Sequence, residues 1–205
     1  MGVAFLASLT SFKQPYSKHL RFFSLLLALT FVVEFVAVIG RRLEWISSNI
    51  ILYNTFMLIE FTAYMWYFHQ VIRNPKVKRR LRFLLVAFPI FWVWSTLAVF
   101  GISIWNSYVS TAGSLITVIM AAYYYYELFT ASELVRLNRS AEFWIATGLI
   151  IFYACQLPYV GMLNYLTVNH RPLARQLLAV LQIGVCIMYS IFIYAYLCKI
   201  NIAKS

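Results

Sequence analysis

The sequence predicts an all-α fold: a polytopic transmembrane helical bundle of seven helices, the first one short, with the N-terminus outside and the C-terminus inside. Three observations lead there. The 205 residues are 63% hydrophobic and only 11% charged, with a mean hydropathy of +0.78. Soluble domains are about half apolar and about a quarter charged. The apolar residues also form blocks long enough for ~30 Å of hydrocarbon, which takes ~20 helical residues. These blocks are continuous rather than alternating, the pattern of helices and not of barrel strands. No soluble segment or low-complexity linker separates them, so residues 1–205 read as a single transmembrane domain.

The first block, residues 1–13, is apolar but short. About twelve residues at 1.5 Å each reach only ~18 Å. It lacks the basic start and small-residue cleavage site of a signal peptide, so it reads as a shortened span. Full spans follow at about 20–40, 49–72, 82–101, 107–130, 142–165 and 174–198. Between the third and fourth blocks, NPKVKRR reads as a turn, because Pro75 cannot continue a helix. Ser140 is placed to cap the next-to-last span, with Glu142 in its first turn. Pro172 suits the start of the last span. Short connections make neighbouring helices antiparallel. There is no convincing internal repeat of the kind many transporters carry.

Charge fixes the expected orientation. The net charge is +11, which in a soluble protein would suggest nucleic acid. Here the basic residues flank helices instead. One set of connections holds Lys13, Lys18, Arg21, the run from Arg73 to Arg82, Arg136, Arg139, Lys199 and Lys204; the other holds Arg41, Arg42, Arg171 and Arg175. The richer set is expected on the cytoplasmic side. The expected location is therefore the cell (inner) membrane, multi-pass, with the lipid bilayer as partner and no nucleic acid. RNPKVKRRLR is the strongest anchor and can also attract anionic head groups.

The chain has no aspartate, and three of its six acidic residues lie inside apolar blocks: Glu34, Glu60 and Glu127. An ionisable group near the bilayer centre costs at least ~2.5–3.5 kcal/mol and usually faces a partner in the bundle interior. Counting along each span at 1.5 Å per residue puts Glu60 near the midplane, with Glu34 and Gln156 ~4–5 Å, Gln182 ~7 Å and Asn54 ~9 Å outward. These five predict a polar layer in the outer half that binds a ligand or gates. Pro158, beside Gln156, frees the Ala154 carbonyl at the same level. With no cation expected nearby, Glu60 is read as neutral at rest, able to donate to Gln156 or Gln182 and to release its proton when a cationic ligand arrives. Glu127 and His69 fall ~12 Å toward the cytoplasm; they are expected either to pair as an inner gate or to leave Glu127 reaching out to the basic inner surface. For each acid, the plainer alternative is a hydrogen bond between packed helices. In the run Tyr123–Tyr126, only Tyr123 shares a helix face with Glu127.

Several chemistries find no support. Without aspartate there is no paired-aspartate magnesium site. His19, His69 and His170 show no zinc-ligand spacing. The last span has no central lysine for a Schiff base. Cys155, Cys186 and Cys198 all fall within spans and read as packing residues, not disulfides. No catalytic constellation, cofactor or metal site is predicted.

The stretches SFKQPYSKHLRFF, NIILYNTFMLIEFTAY, YYYYELF, AEFWIATGLIIFYACQLPYVGMLN and YSIFIYAYLC run through nearly the whole chain. In these the sequence resembles a family of small uncharacterised bacterial membrane proteins of about seven helices. Pro15, Tyr16, Glu34, Tyr53, Asn54, Glu60, Tyr126 to Leu128, Phe143, Trp144 and Pro158 carry the likeness. The resemblance implies a multi-span inner-membrane fold and brings no activity. The expected function is a receptor-like or sensory module that binds a small or lipophilic ligand and signals through a partner. A proton- or cation-coupled transporter or channel, or an accessory subunit of a membrane complex, is the alternative. A closed-bottomed outer pocket favours the first, a through-path the second, and the absence of a pocket the third.

Overall fold

The computed structural model describes residues 1–13, 17–45, 48–131 and 137–200. Pro15, Tyr16, Arg136 and Lys204, used above, lie outside the described residues. The helices are α1 (Gly2–Ser8), α2 (Thr10–Lys13), α3 (Lys18–Arg42), α4 (Ile50–Val71), α5 (Pro75–Trp94), α6 (Ser107–Thr130), α7 (Ala141–Asn169) and α8 (Arg171–Ile200). A π-helical turn, Ser95–Phe100, extends α5, and a 3₁₀ turn, Leu137–Arg139, leads into α7. There is no strand among the described residues.

The helix ends follow local chemistry. α5 begins at Pro75, not near residue 82, so most of NPKVKRR is helix rather than turn. Proline has a φ already suited to the first helical position and no N–H to leave unpaired there. Asn74 completes the start: its side-chain oxygen accepts from Lys76 N at 2.9 Å. Ser140 caps α7 by accepting from Phe143 N at 3.3 Å, with Glu142 in the first turn. Asn106 caps α6 in the same way through Val109 N, at 3.2 Å. The short first span is two helical pieces, α1 and α2, meeting at Leu9.

Among the described residues, four helices are long and apolar enough to cross a membrane: Lys18–Arg42, Pro75–Phe100, Ala141–Leu163 and Arg171–Cys198. α4 and α6 are comparable in length but richer in polar and tyrosine side chains. Their position explains the difference. The pairs α3–α4, α4–α6, α6–α7, α7–α8, α8–α1 and α1–α3 pack together and close a ring, while α5 packs on α4. α4 and α6 bury much of their length inside this bundle, whereas α5 buries only Leu81 and Phe88. A helix surrounded by protein can carry polar groups that a lipid-facing helix cannot.

Close packing within the ring depends on small residues. Ser107, Ser110, Gly113, Ser114, Thr117 and Ala121 form the buried face of α6, and small side chains let helix backbones approach. At Gly113 a Cβ would overlap the Phe61 ring. At Gly148 it would come 2.8 Å from the ring of Phe192 on α8. The three cysteines are free thiols; the sequence reads them as packing residues, but Cys155 and Cys186 are exposed on α7 and α8.

Candidate functional site

The ring encloses a cavity of about 150 Å³ in the half of the bundle nearer Arg171. Five of the six ring helices contribute, and Met1 stands at the start of the sixth, α1. Thr30 and Glu34 come from α3, Tyr53, Glu60 and Phe61 among others from α4, Ser110 from α6, Phe152, Tyr153 and Gln156 from α7, and Val185, Met188 and Tyr189 from α8; Met1 and Trp105 complete the wall. Glu60 holds the wall's most elaborate hydrogen bonding. Its Oε1 accepts from Tyr64 OH at 2.9 Å, one turn along α4, and from Tyr153 OH on α7 at 3.0 Å. Glu34 Oε2 accepts from Tyr53 OH at 3.2 Å, which links α3 to α4.

Three polar atoms on the same wall are buried without a hydrogen-bond partner among the described residues: Trp105 Nε1, Ser110 Oγ and Gln156 Oε1. Buried polar groups are nearly always paired, by protein or by something bound. Clustering of three such atoms around one cavity makes this the candidate site.

Toward the Lys18 end the cavity is closed by aromatic side chains. Phe61, Tyr64, Tyr67, Phe68, Phe23, Phe192 and Tyr196 are all buried. Their rings form a continuous column. Tyr153 lies 5.7 Å from Tyr64, Tyr64 6.3 Å from Phe23, Phe23 5.2 Å from Tyr67, and Tyr67 6.0 Å from the ring of His19. Contacts of 4.5–7 Å between centroids are ordinary aromatic packing.

A second cavity of about 250 Å³ lies at the Lys18 end, lined by His19, Gln70, Arg73, Tyr124, Glu127, Ser140 and Glu142, among others. The polar groups here tie helix ends together. Glu127 accepts from the backbone N–H groups of Arg73 at 2.8 Å and Asn74 at 2.9 Å, at the start of α5. Tyr123, one turn earlier on α6, accepts from Asn74 Nδ2 at 2.9 Å. His19 Nε2 and Glu142 Oε1 meet at 3.0 Å, joining the starts of α3 and α7. A carboxylate at a helix start is favoured by the helix dipole and by unpaired N–H groups.

The predicted site residues therefore divide. Glu34, Glu60 and Gln156 come together in the first cavity. Asn54 does not line it. Its amide donates to the carbonyls of Ile102 at 3.0 Å and Ile104 at 2.8 Å and accepts from Asn106 N at 3.1 Å. It pins the connection between α5 and α6, where Ser95, Thr96 and Asn106 complete a buried polar knot. Gln182 shares a helix face with Val185 and Tyr189 but lies a turn beyond the rim and is exposed. His69 and Glu127 do not pair. His69 Nδ1 lies 3.4 Å from Gln70 Nε2 and faces Lys78 and Arg82, while Glu127 is taken up by the α5 start. Equal depth put these residues in one plane; their different angular positions around the helices keep them apart. Tyr64 is a partner of Glu60 that the reading missed, although its i, i+4 spacing on α4 was available in the sequence.

No family model, no curated protein and no solved structure matches this chain.

Proposed function

We propose that this chain is a receptor-like or sensory module of the cell (inner) membrane, built as a seven-span bundle with the N-terminus out and the C-terminus in. It binds a small or lipophilic ligand in the cavity nearer Arg171 and passes helix movement to a partner at the basic face. The observation that carries this reading is the cavity itself: walled by five of the ring helices, lined by unpaired polar atoms, and stopped by a packed aromatic column. Because α3, α4, α6, α7 and α8 all reach the wall, a bound molecule can shift their relative positions. The column then offers a packed route from Glu60 to His19 at the other end. The bilayer placement and the likeness to small bacterial membrane proteins belong to this same reading.

Cysteine accessibility tests it. In a background without native cysteines, Ser110→Cys is to react with a membrane-impermeant thiol reagent from the periplasmic face only, and Ala131→Cys from the cytoplasmic face only. Reaction of Ser110→Cys from both faces would mean a through-path and a transporter. No reaction from either face would favour an accessory subunit.

A further inference from the structure

We infer that the occupant of the first cavity is a small primary ammonium ion, an organic amine in its protonated form. The inference rests on the ligand-binding reading above and adds the chemical class.

Charge comes first. Glu34 and Glu60 both lie on the wall; no lysine, arginine or histidine side chain does, and Met1 brings one α-amino group. Two carboxyl groups against one amino group leave acid in excess, and that excess favours a cationic occupant, since burying an unpaired charge is costly.

Hydrogen-bond inventory narrows the class. Glu60 Oε1 takes both tyrosine hydroxyls, so Oε2 remains without a partner among the described residues. Glu34 Oε2 takes Tyr53, leaving Oε1 in the same state. Gln156 Oε1 is the third open acceptor. These acceptors come from α4, α3 and α7, and a primary ammonium carries three N–H donors. A quaternary ammonium has none, and a bare metal ion would leave most of an aromatic-walled space of this size unfilled.

The rest of the wall suits the organic part. Tyr53, Phe56, Phe61, Trp105, Phe152 and Tyr153 supply aromatic faces and edges, which attract a nearby cation and pack an apolar tail. A volume of about 150 Å³ is that of an apolar cavity known to hold benzene. Ser110, 1% exposed, presents an unpaired hydroxyl to the cavity, and Trp105 an unpaired indole N–H. This second pair of groups, on the α6 side, can donate to an acceptor atom at the far end of the ligand.

The test compares two probes of nearly equal shape, benzylamine at neutral pH and benzyl alcohol, by calorimetric titration of the full chain in lipid nanodiscs. Benzylamine is expected to bind at least about tenfold more tightly than benzyl alcohol. Glu60→Gln keeps an oxygen for the two tyrosines but loses the charge. It is expected to weaken benzylamine by about tenfold or more and leave benzyl alcohol within about twofold. Glu34→Gln gives an independent variant with the same expectation, and thermal unfolding of each variant verifies that it is folded. Equal binding of the two probes, or benzylamine binding unaffected by either substitution, would overturn the ammonium assignment while leaving a ligand cavity. Failure of both probes to bind the wild-type chain at millimolar concentration would overturn the assignment and the cavity reading together.

Discussion

Replacing Asn54 by alanine tests whether this buried amide is a structural pin or a ligand group. Its side chain satisfies three backbone groups: the carbonyls of Ile102 and Ile104 and the N–H of Asn106. The residue is fully buried, and alanine offers none of these bonds. A buried backbone group left unpaired costs about 1–3 kcal/mol. Ile102 and Ile104 are themselves exposed, so water can reach part of the loop, and the lower end applies. Three groups at that end give ~3 kcal/mol. Interhelical hydrogen bonds in membrane proteins average nearer ~0.6 kcal/mol, which sets a floor near ~2 kcal/mol for three. The assay is reversible unfolding in mixed micelles, with wild type and Asn54→Ala titrated side by side. Asn54→Asp is informative beside it, because it keeps the acceptor for Asn106 and loses both donors. Both variants are expected to be less stable than wild type, the aspartate because its second oxygen meets the two carbonyls without a proton to give. A loss below ~1 kcal/mol for alanine would refute the pin. Direct weakening of ligand binding with unchanged stability would return Asn54 to the site.

Three further outcomes follow from the packing. Gly113→Ala is expected to destabilise by about 1–3 kcal/mol through overlap with Phe61; pairing it with Phe61→Leu should recover part of the loss in the same unfolding assay, and no recovery would mean the strain lies elsewhere. Glu127→Ala removes the acceptor for the Arg73 and Asn74 amides. Loss of about 1 kcal/mol should appear as several-fold faster hydrogen exchange confined to the α5 start, and unchanged protection there would contradict the assigned role. Tyr153→Phe takes one of two hydroxyls from Glu60. It should cost ~1 kcal/mol in wild type and clearly less in a Glu60→Leu background, so equal losses in both would show that the bond is not the source.

The helical class and most helix limits were legible because hydrophobic blocks and caps are local signals. Ser140 with Glu142 marks the α7 start from a few adjacent residues, and the block at 107–130 coincides with α6. α5 was read short because its first turns are basic. Lysine and arginine are good helix formers, and Pro75, which ends one helix, is equally suited to begin the next. Depth along a helix was also legible, and it brought Glu34, Glu60 and Gln156 to the right level. Angular position was not. Asn54 and Gln182 have suitable depth, but one points into the α5–α6 connection and the other lies exposed beyond the rim. The knot of Ser95, Thr96 and Asn106 depends on how a π-helical turn and a short connection fold back on α4. Nothing in the spacing of those residues announces it.

The placement of polar groups on central helices has a consequence for biogenesis. A chain made from its N-terminus delivers α4 well before the groups that satisfy it. Glu60 has Tyr64 on its own helix at once, but its other partner, Tyr153, comes 93 residues later. Asn54 waits for the 102–106 connection. Until α7 arrives, α4 carries a half-satisfied carboxyl and falls short of the hydropathy that makes α3 and α8 apolar enough to cross a membrane. Its hold on the membrane is therefore provisional, and the later helices confer permanence. A chain ending after residue 131 should be cleared by membrane proteases faster than the full chain in a pulse-chase experiment. Equal lifetimes would show that α4 and α6 are retained without their late partners.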